Sequence, residues 1–103
     1  DCLLSRGLGD VYKRQIERVV VKAYGWARNY LSTLPLHESQ REIASDDESI
    51  TFEFSVRPNY EFFQLLLQQT DQIEILEPQW AKDAMCQMAE NILSYYKKSE
   101  NAQ

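Results

Sequence analysis

The spacing of apolar positions changes several times along this chain, and each change marks an element. Residues 16–24 contain Val19-Val20-Val21, a β-branched run apolar on both faces, which predicts a strand at the centre of a sheet. Gly25 breaks it. From Trp26 the spacing turns helical: Trp26, Ala27, Tyr30, Leu31 and Leu34 share one side, Arg28, Asn29 and Ser32 the other, and Pro35 stops the helix. A short strand is expected over residues 40–44, followed by the polar turn Ser45-Asp46-Asp47-Glu48-Ser49. Residues 50–57 then alternate strictly. Ile50, Phe52, Phe54 and Val56 point inward while Thr51, Glu53, Ser55 and Arg57 point out, as in a strand with one dry and one wet face.

Pro58-Asn59 opens a second helix, with Asn59 as N-cap and Glu61 in the first turn; Phe62, Phe63, Leu66, Leu67 and Thr70 form its inner stripe. A strand over residues 72–76 leads to Glu77-Pro78, where proline suits the first turn of a third helix. Trp80, Ala81, Ala84, Met85, Met88, Ile92 and Tyr95 repeat at three and four along it, Lys97-Lys98 close it, and residues 99–103 are expected to fray. The order is β-α-β-β-α-β plus one helix. Right-handed crossovers in that order predict an α+β, ferredoxin-like sandwich, with a four-stranded antiparallel sheet and an additional C-terminal helix. Its first and third strands are central, and these are the two most apolar strands here.

Composition narrows function more than fold. The chain has 103 residues, 44% hydrophobic and 26% charged, enough for one domain with its own core. Its net charge of −5 argues against a whole-surface nucleic-acid binder. No apolar run approaches a membrane span, and two cysteines without a framework suit a reducing, cytoplasmic setting. Residues 1–15, DCLLSRGLGDVYKRQ, show no period and resemble a translated sequencing-adapter artefact, with a flexible tail as the alternative. Without them eight basic and fourteen acidic residues remain, and the domain is placed at 16–98, followed by a tail over 99–103.

Several segments, in order, carry a resemblance. They are Tyr30-Leu31, then Pro35-Leu36-His37-Glu38-Ser39-Gln40, then Val56-Arg57-Pro58-Asn59-Tyr60-Glu61 entering a Leu-rich helix. Ile73-Glu74-Ile75-Leu76-Glu77-Pro78 and a final helix ending in Tyr95-Tyr96 complete the set. Over residues 16–96 the chain resembles the C-terminal extension (WCX) domain of bacterial WYL-domain transcription regulators. Such proteins look like a winged helix-turn-helix, a WYL domain with an Sm-like barrel, and this extension. The resemblance implies upstream WYL and helix-turn-helix domains in the same chain, a homodimer, and a nucleotide-like or nucleic-acid-like effector. The Trp-Tyr-Leu triplet and the helix-turn-helix are absent here, so DNA is contacted only through the missing domain. The connection 68–72 also lacks the glycine expected there.

The candidate ligand contacts are His37, Gln40, Arg41 and Arg57. His37 either meets an anionic effector or a neighbour, or pins its own loop to backbone groups. Arg41 and Arg57, with Lys22 and Tyr24, project from the open sheet face, where guanidinium pairing and stacking suit a phosphate or base; the alternative is a solvated face balanced by Glu42, Glu53 and Glu74. No metal site is expected, because one histidine has no second ligand and Asp46-Asp47-Glu48 lacks the spacing of a calcium loop. Cys86 reads as a buried structural thiol, and Met85 and Met88 as packing. Trp80, Tyr95 and Tyr96 are the interface candidates: their helix either packs on its own sheet or turns an apolar stripe to another domain or protomer.

No cofactor and no catalytic residue is expected. The leading reading is a non-catalytic regulatory domain that senses an effector and couples protomers. The alternative is a stand-alone ACT-like sensing or interaction module, which shares the sandwich but places ligands at glycine-rich helix entrances that Pro58-Asn59 does not supply. An acylphosphatase-like hydrolase ranks last, because Ala23-Tyr24-Gly25-Trp26 offers no phosphate-cradling loop.

Overall fold

Strand β1 (Glu17–Tyr24) runs into helix α1 (Gly25–Thr33), then the hairpin β2 (Arg41–Ser45) and β3 (Ser49–Val56). Helix α2 (Tyr60–Leu67), strand β4 (Ile73–Glu77) and the long helix α3 (Gln79–Asn101) follow. This computed structural model describes residues 16–69 and 71–101, with side chains as far as Lys97. The segment 1–15 and residues 102 and 103 lie outside the described residues, as does Thr70. The sheet order is β2-β3-β1-β4, every neighbouring pair antiparallel. The valine-rich first strand and the alternating third strand are the central pair, and the architecture is the expected α+β, ferredoxin-like sandwich with an added C-terminal helix.

Pairing register explains which residues meet. On the inner face Val19, Val21 and Ala23 sit opposite Phe54, Phe52 and Ile50, and on the other side Val21 and Ala23 sit opposite Ile75 and Ile73. Ala27 and Leu31 of α1, Phe62, Phe63 and Leu66 of α2, and Ala81 and Met88 of α3 join these residues in one core cluster. All three helices therefore cover the same face. Phe54, Phe62, Phe63 and Trp80 form a run of edge-to-face rings, with centroids 5.5, 6.3 and 6.1 Å apart, that ties sheet to α2 and α2 to α3.

Val20 is buried on the opposite face, between Glu53 and Glu77, which is why the valine run is apolar on both sides.

Local chemistry sets the element ends. Asn59 caps α2 as expected, its Oδ1 accepting from the Phe62 N–H at 2.9 Å. Tyr24, the N-cap of α1, supplies no side-chain cap. Instead Gln72, just before β4, accepts from the Trp26 N–H through Oε1 at 3.1 Å and from the Tyr24 N–H through its carbonyl at 2.7 Å. Gly25, at φ +50°, leaves room for that amide: a Cβ there would lie 1.9 Å from Gln72 Oε1. At β2 a register shift between Glu42 and Ala44 leaves Ile43 as an extra residue, and the whole border strand is exposed.

The helical faces differ from expectation in three places. Of the α1 stripe only Ala27 and Leu31 are buried. Trp26, Tyr30 and Leu34 are one residue, hence about 100°, out of phase with them, so they face outward. Trp26 and Tyr30 meet edge to face, centroids 5.8 Å apart. Leu67, at the end of the short helix α2, is exposed. Cys86 is an exposed free thiol, not a buried one, because it follows Met85 by one position and is rotated off the core side of α3.

Candidate functional site

The segment between α1 and β2 is held by its own polar side chains. Gln40 Nε2 donates to the Leu31 carbonyl at 2.8 Å, and Gln40 Oε1 accepts from the Leu36 N–H at 2.9 Å. One amide thus closes the C-terminal end of α1 and fixes the start of the loop. The Ser39 N–H donates to His37 Nδ1 at 3.0 Å, and the Ser39 hydroxyl lies 2.7 Å from the same nitrogen. Nδ1 is therefore the acceptor and the ring hydrogen resides on Nε2. Ser39 Oγ in turn accepts from the Ser55 N–H at 2.9 Å, continuing the β3 ladder past the point where β2 begins. His37, Ser39 and Gln40 all act on backbone groups.

This loop forms one wall of a groove of about 450 Å³. The other walls come from the end of β3 and the start of α2, with Arg57, Asn59, Glu61 and Phe62 among the lining residues. His37 and Arg57 are thus brought together. The ion pairs among the described residues join Arg18 to Glu53 and Glu77 and Arg41 to Glu53. Arg57 takes part in none of them and is exposed. Glu38 and Glu61 stand on the same walls, so the groove carries both signs of charge.

Arg41 is placed elsewhere, on the uncovered sheet face opposite Glu53. There Glu53 accepts from both Arg18 and Arg41, and Arg18 also reaches Glu77 at 2.8 Å. Donation by Arg18, then by Arg41, holds the Glu53 carboxyl below the usual carboxylate range; the same bond to Glu53 raises Arg18 further above its ordinary value. Tyr24 Oη donates to Glu74 at 2.6 Å, which raises the phenol, and the Lys22 ammonium lies 5.6 Å from the Tyr24 ring centroid. Arg18 and Glu77 are absent from the sequence-derived site. Alternation within β1 puts Arg18 on the face of Lys22 and Tyr24, a signal masked by reading residues 19–21 as one apolar block. Glu42 instead pairs in register with Phe52 and takes no part in this network.

The acidic turn folds on itself. Asp46 Oδ1 accepts from the Glu48 and Ser49 N–H groups at 2.8 and 2.7 Å and from the Ser49 hydroxyl at 3.1 Å, bonds that lower the Asp46 carboxyl. Arg28 of α1 donates to the Asp47 carbonyl. Among the described residues no group of three His, Cys, Asp or Glu is placed to hold a metal. None of the described helices is long and apolar enough to cross a membrane.

The three interface candidates separate. Trp80 is half-buried against Phe63 and the core. Tyr95 and Tyr96 are 70% and 68% exposed, on the part of α3 beyond Met88, the last buried residue among the described side chains.

No curated protein matches the chain. A family model, the WCX domain, matches residues 15–93, covering every strand and all of the helical face that meets the core. The matched span begins at the foot of β1 and takes in the His37 loop, the groove and the ionic sheet face. This chain belongs to the WCX domain family, C-terminal domains of WYL-type regulators.

Proposed function

We propose that this chain is the non-catalytic regulatory domain of a WYL-type helix-turn-helix transcription regulator, working in the cytoplasm. In this reading it senses an effector and couples protomers, while DNA contact belongs to the helix-turn-helix upstream. The observation that supports the reading is the family match combined with the His37–Arg57 groove, a recess with an apolar floor and a few polar side chains, whose loop wall is held by side chain-to-backbone bonds. Arg57 offers a planar fork of donors and His37 offers Nε2–H, a pair suited to one phosphate or carboxylate group. Glu38 and Glu61 on the same walls disfavour a ligand of high negative charge, so a mononucleotide-like effector fits better than a long polyanion. Gln40 acts by holding the loop, since both ends of its amide are engaged. Arg41 does not line the groove; in this reading it meets the ligand from the uncovered sheet face, exchanging its bond to Glu53 for one to the ligand.

The test uses the full-length regulator and its transcriptional dose-response. Reversing the charges of Arg41 and Arg57 should blunt the response while the circular dichroism spectrum stays unchanged. An unaltered dose-response curve removes both residues from the site. Hydrolysis of acyl phosphates by the chain, abolished in Arg57→Ala, would overturn the non-catalytic reading.

A further inference from the structure

The last part of α3 leaves the domain. Among the residues whose side chains are described, Met88 is the last buried one, yet the helix continues to Asn101. A stretch of this length is only marginally helical alone in water, and helices in proteins are mostly held by packing of an apolar face. Here that face has no partner among the described residues: Ile92, Leu93, Tyr95 and Tyr96 are all at least half exposed.

The exposed pattern is self-complementary. Ala89, Ile92, Leu93 and Tyr96 lie on one side of the helix at intervals of three, one and three. That spacing reads the same in both directions about a point between Ile92 and Leu93. An antiparallel copy placed there sets Ile92 against the partner's Leu93 and Ala89 against the partner's Tyr96. Charge agrees with the same axis. Glu90 and Lys97 are exposed, neither makes an ion pair among the described residues, and both lie on the flank beside Leu93. In the antiparallel pair each Glu90 comes within about 3 Å, in height along the helix, of the partner's Lys97, twice over by symmetry.

We infer that the overhanging end of α3 is a self-association surface, on which a second copy of this chain docks antiparallel through Ala89, Ile92, Leu93 and Tyr96 with Glu90–Lys97 pairs at its edge. This deepens the protomer-coupling part of the proposed function and rests on it only for purpose. The test reads assembly alone, so a failure of effector binding leaves it standing. A patch on one helix is smaller than the roughly 800 Å² per partner of a standard interface, so the expected dimer is a weak, reversible one.

Sedimentation equilibrium of the 103-residue chain with Cys2→Ser and Cys86→Ser, which removes disulfide dimers, decides the matter. The expected result is a monomer–dimer equilibrium, lost in Leu93→Asp with an unchanged far-ultraviolet spectrum, since Leu93 is outside the core. Glu90→Lys and Lys97→Glu each should weaken the dimer about tenfold, by placing like charges opposite at two symmetric positions. The double variant Glu90→Lys/Lys97→Glu should return to within about threefold of the parent. A parent chain that stays monomeric up to ~0.5 mM overturns the inference. So does a double variant no tighter than the singles, which would leave the charge pairing without effect.

Discussion

Gly25→Ala tests how β4 and α1 are joined. The residue sits at φ +50°, and a methyl group there would lie 1.9 Å from Gln72 Oε1. Two costs follow. Holding alanine in the left-handed region costs about 1 kcal/mol. The methyl also drives the Gln72 amide off the Trp26 N–H, removing the side-chain cap of α1, which is worth about 1 kcal/mol more. With the residual steric cost the variant should lose roughly 2–3 kcal/mol, a fall in Tm of about 10 °C or more for a domain of this size. Gln72→Ala alone loses the cap and about 1 kcal/mol. In that background every remaining neighbour lies at 3.5 Å or beyond, so Gly25→Ala then costs only its backbone share. Urea unfolding of the four proteins, followed by circular dichroism, gives the cycle. Strictly additive losses, or a Gly25→Ala change below about 0.5 kcal/mol, would refute the idea that this glycine exists to admit the Gln72 cap.

Further outcomes follow from other parts of the molecule. Gln40→Ala should cost about 1–3 kcal/mol by leaving the Leu31 carbonyl and Leu36 N–H unpaired, and Gln40→Glu should cost more, since a carboxylate then faces that carbonyl; urea midpoints check the order. Phe54→Ala removes a fully buried ring at the centre of the core and should destabilise by about 3–5 kcal/mol in the same assay. Asp46 and Glu53 are both held below the ordinary carboxylate range, so their stabilisation is complete above that range and disappears as the pH falls through their lowered values. Urea midpoints taken from neutrality down to about pH 2 should drop less steeply in Asp46→Asn and Glu53→Gln than in the parent. At the alkaline end Tyr24 is raised, so its bond to Glu74 supports the fold below the ordinary tyrosine range and is lost as the pH climbs through the raised value; Tyr24→Phe should flatten that limb.

The fold was legible because its two central strands announce themselves differently. Val19-Val20-Val21 is apolar on both faces, and residues 50–56 alternate, as the two inner strands of this sheet require. Helix faces were harder to read. A nine-residue helix admits two side chains to the core, and sequence spacing alone does not separate Ala27 and Leu31 from the parallel row of Trp26, Tyr30 and Leu34. For the same reason Cys86 was placed inside. The site residues His37 and Arg57 were found from their segment, but their shared groove depends on the β3–α2 junction folding back beside the loop, a contact between positions far apart in sequence. The roles of Ser39 and Gln72 were out of reach because both act on backbone groups of distant segments, Ser55 and Trp26.

The extra residue at Ile43 has a consequence for solubility. A border strand with an unbroken row of backbone donors and acceptors is a template on which other chains extend a sheet. Here the row is interrupted after two pairs, twisting the strand away from flatness, and Arg41 and Glu42 bring charge to the same stretch. This border of the sheet is thereby a poor template for growth into a fibre.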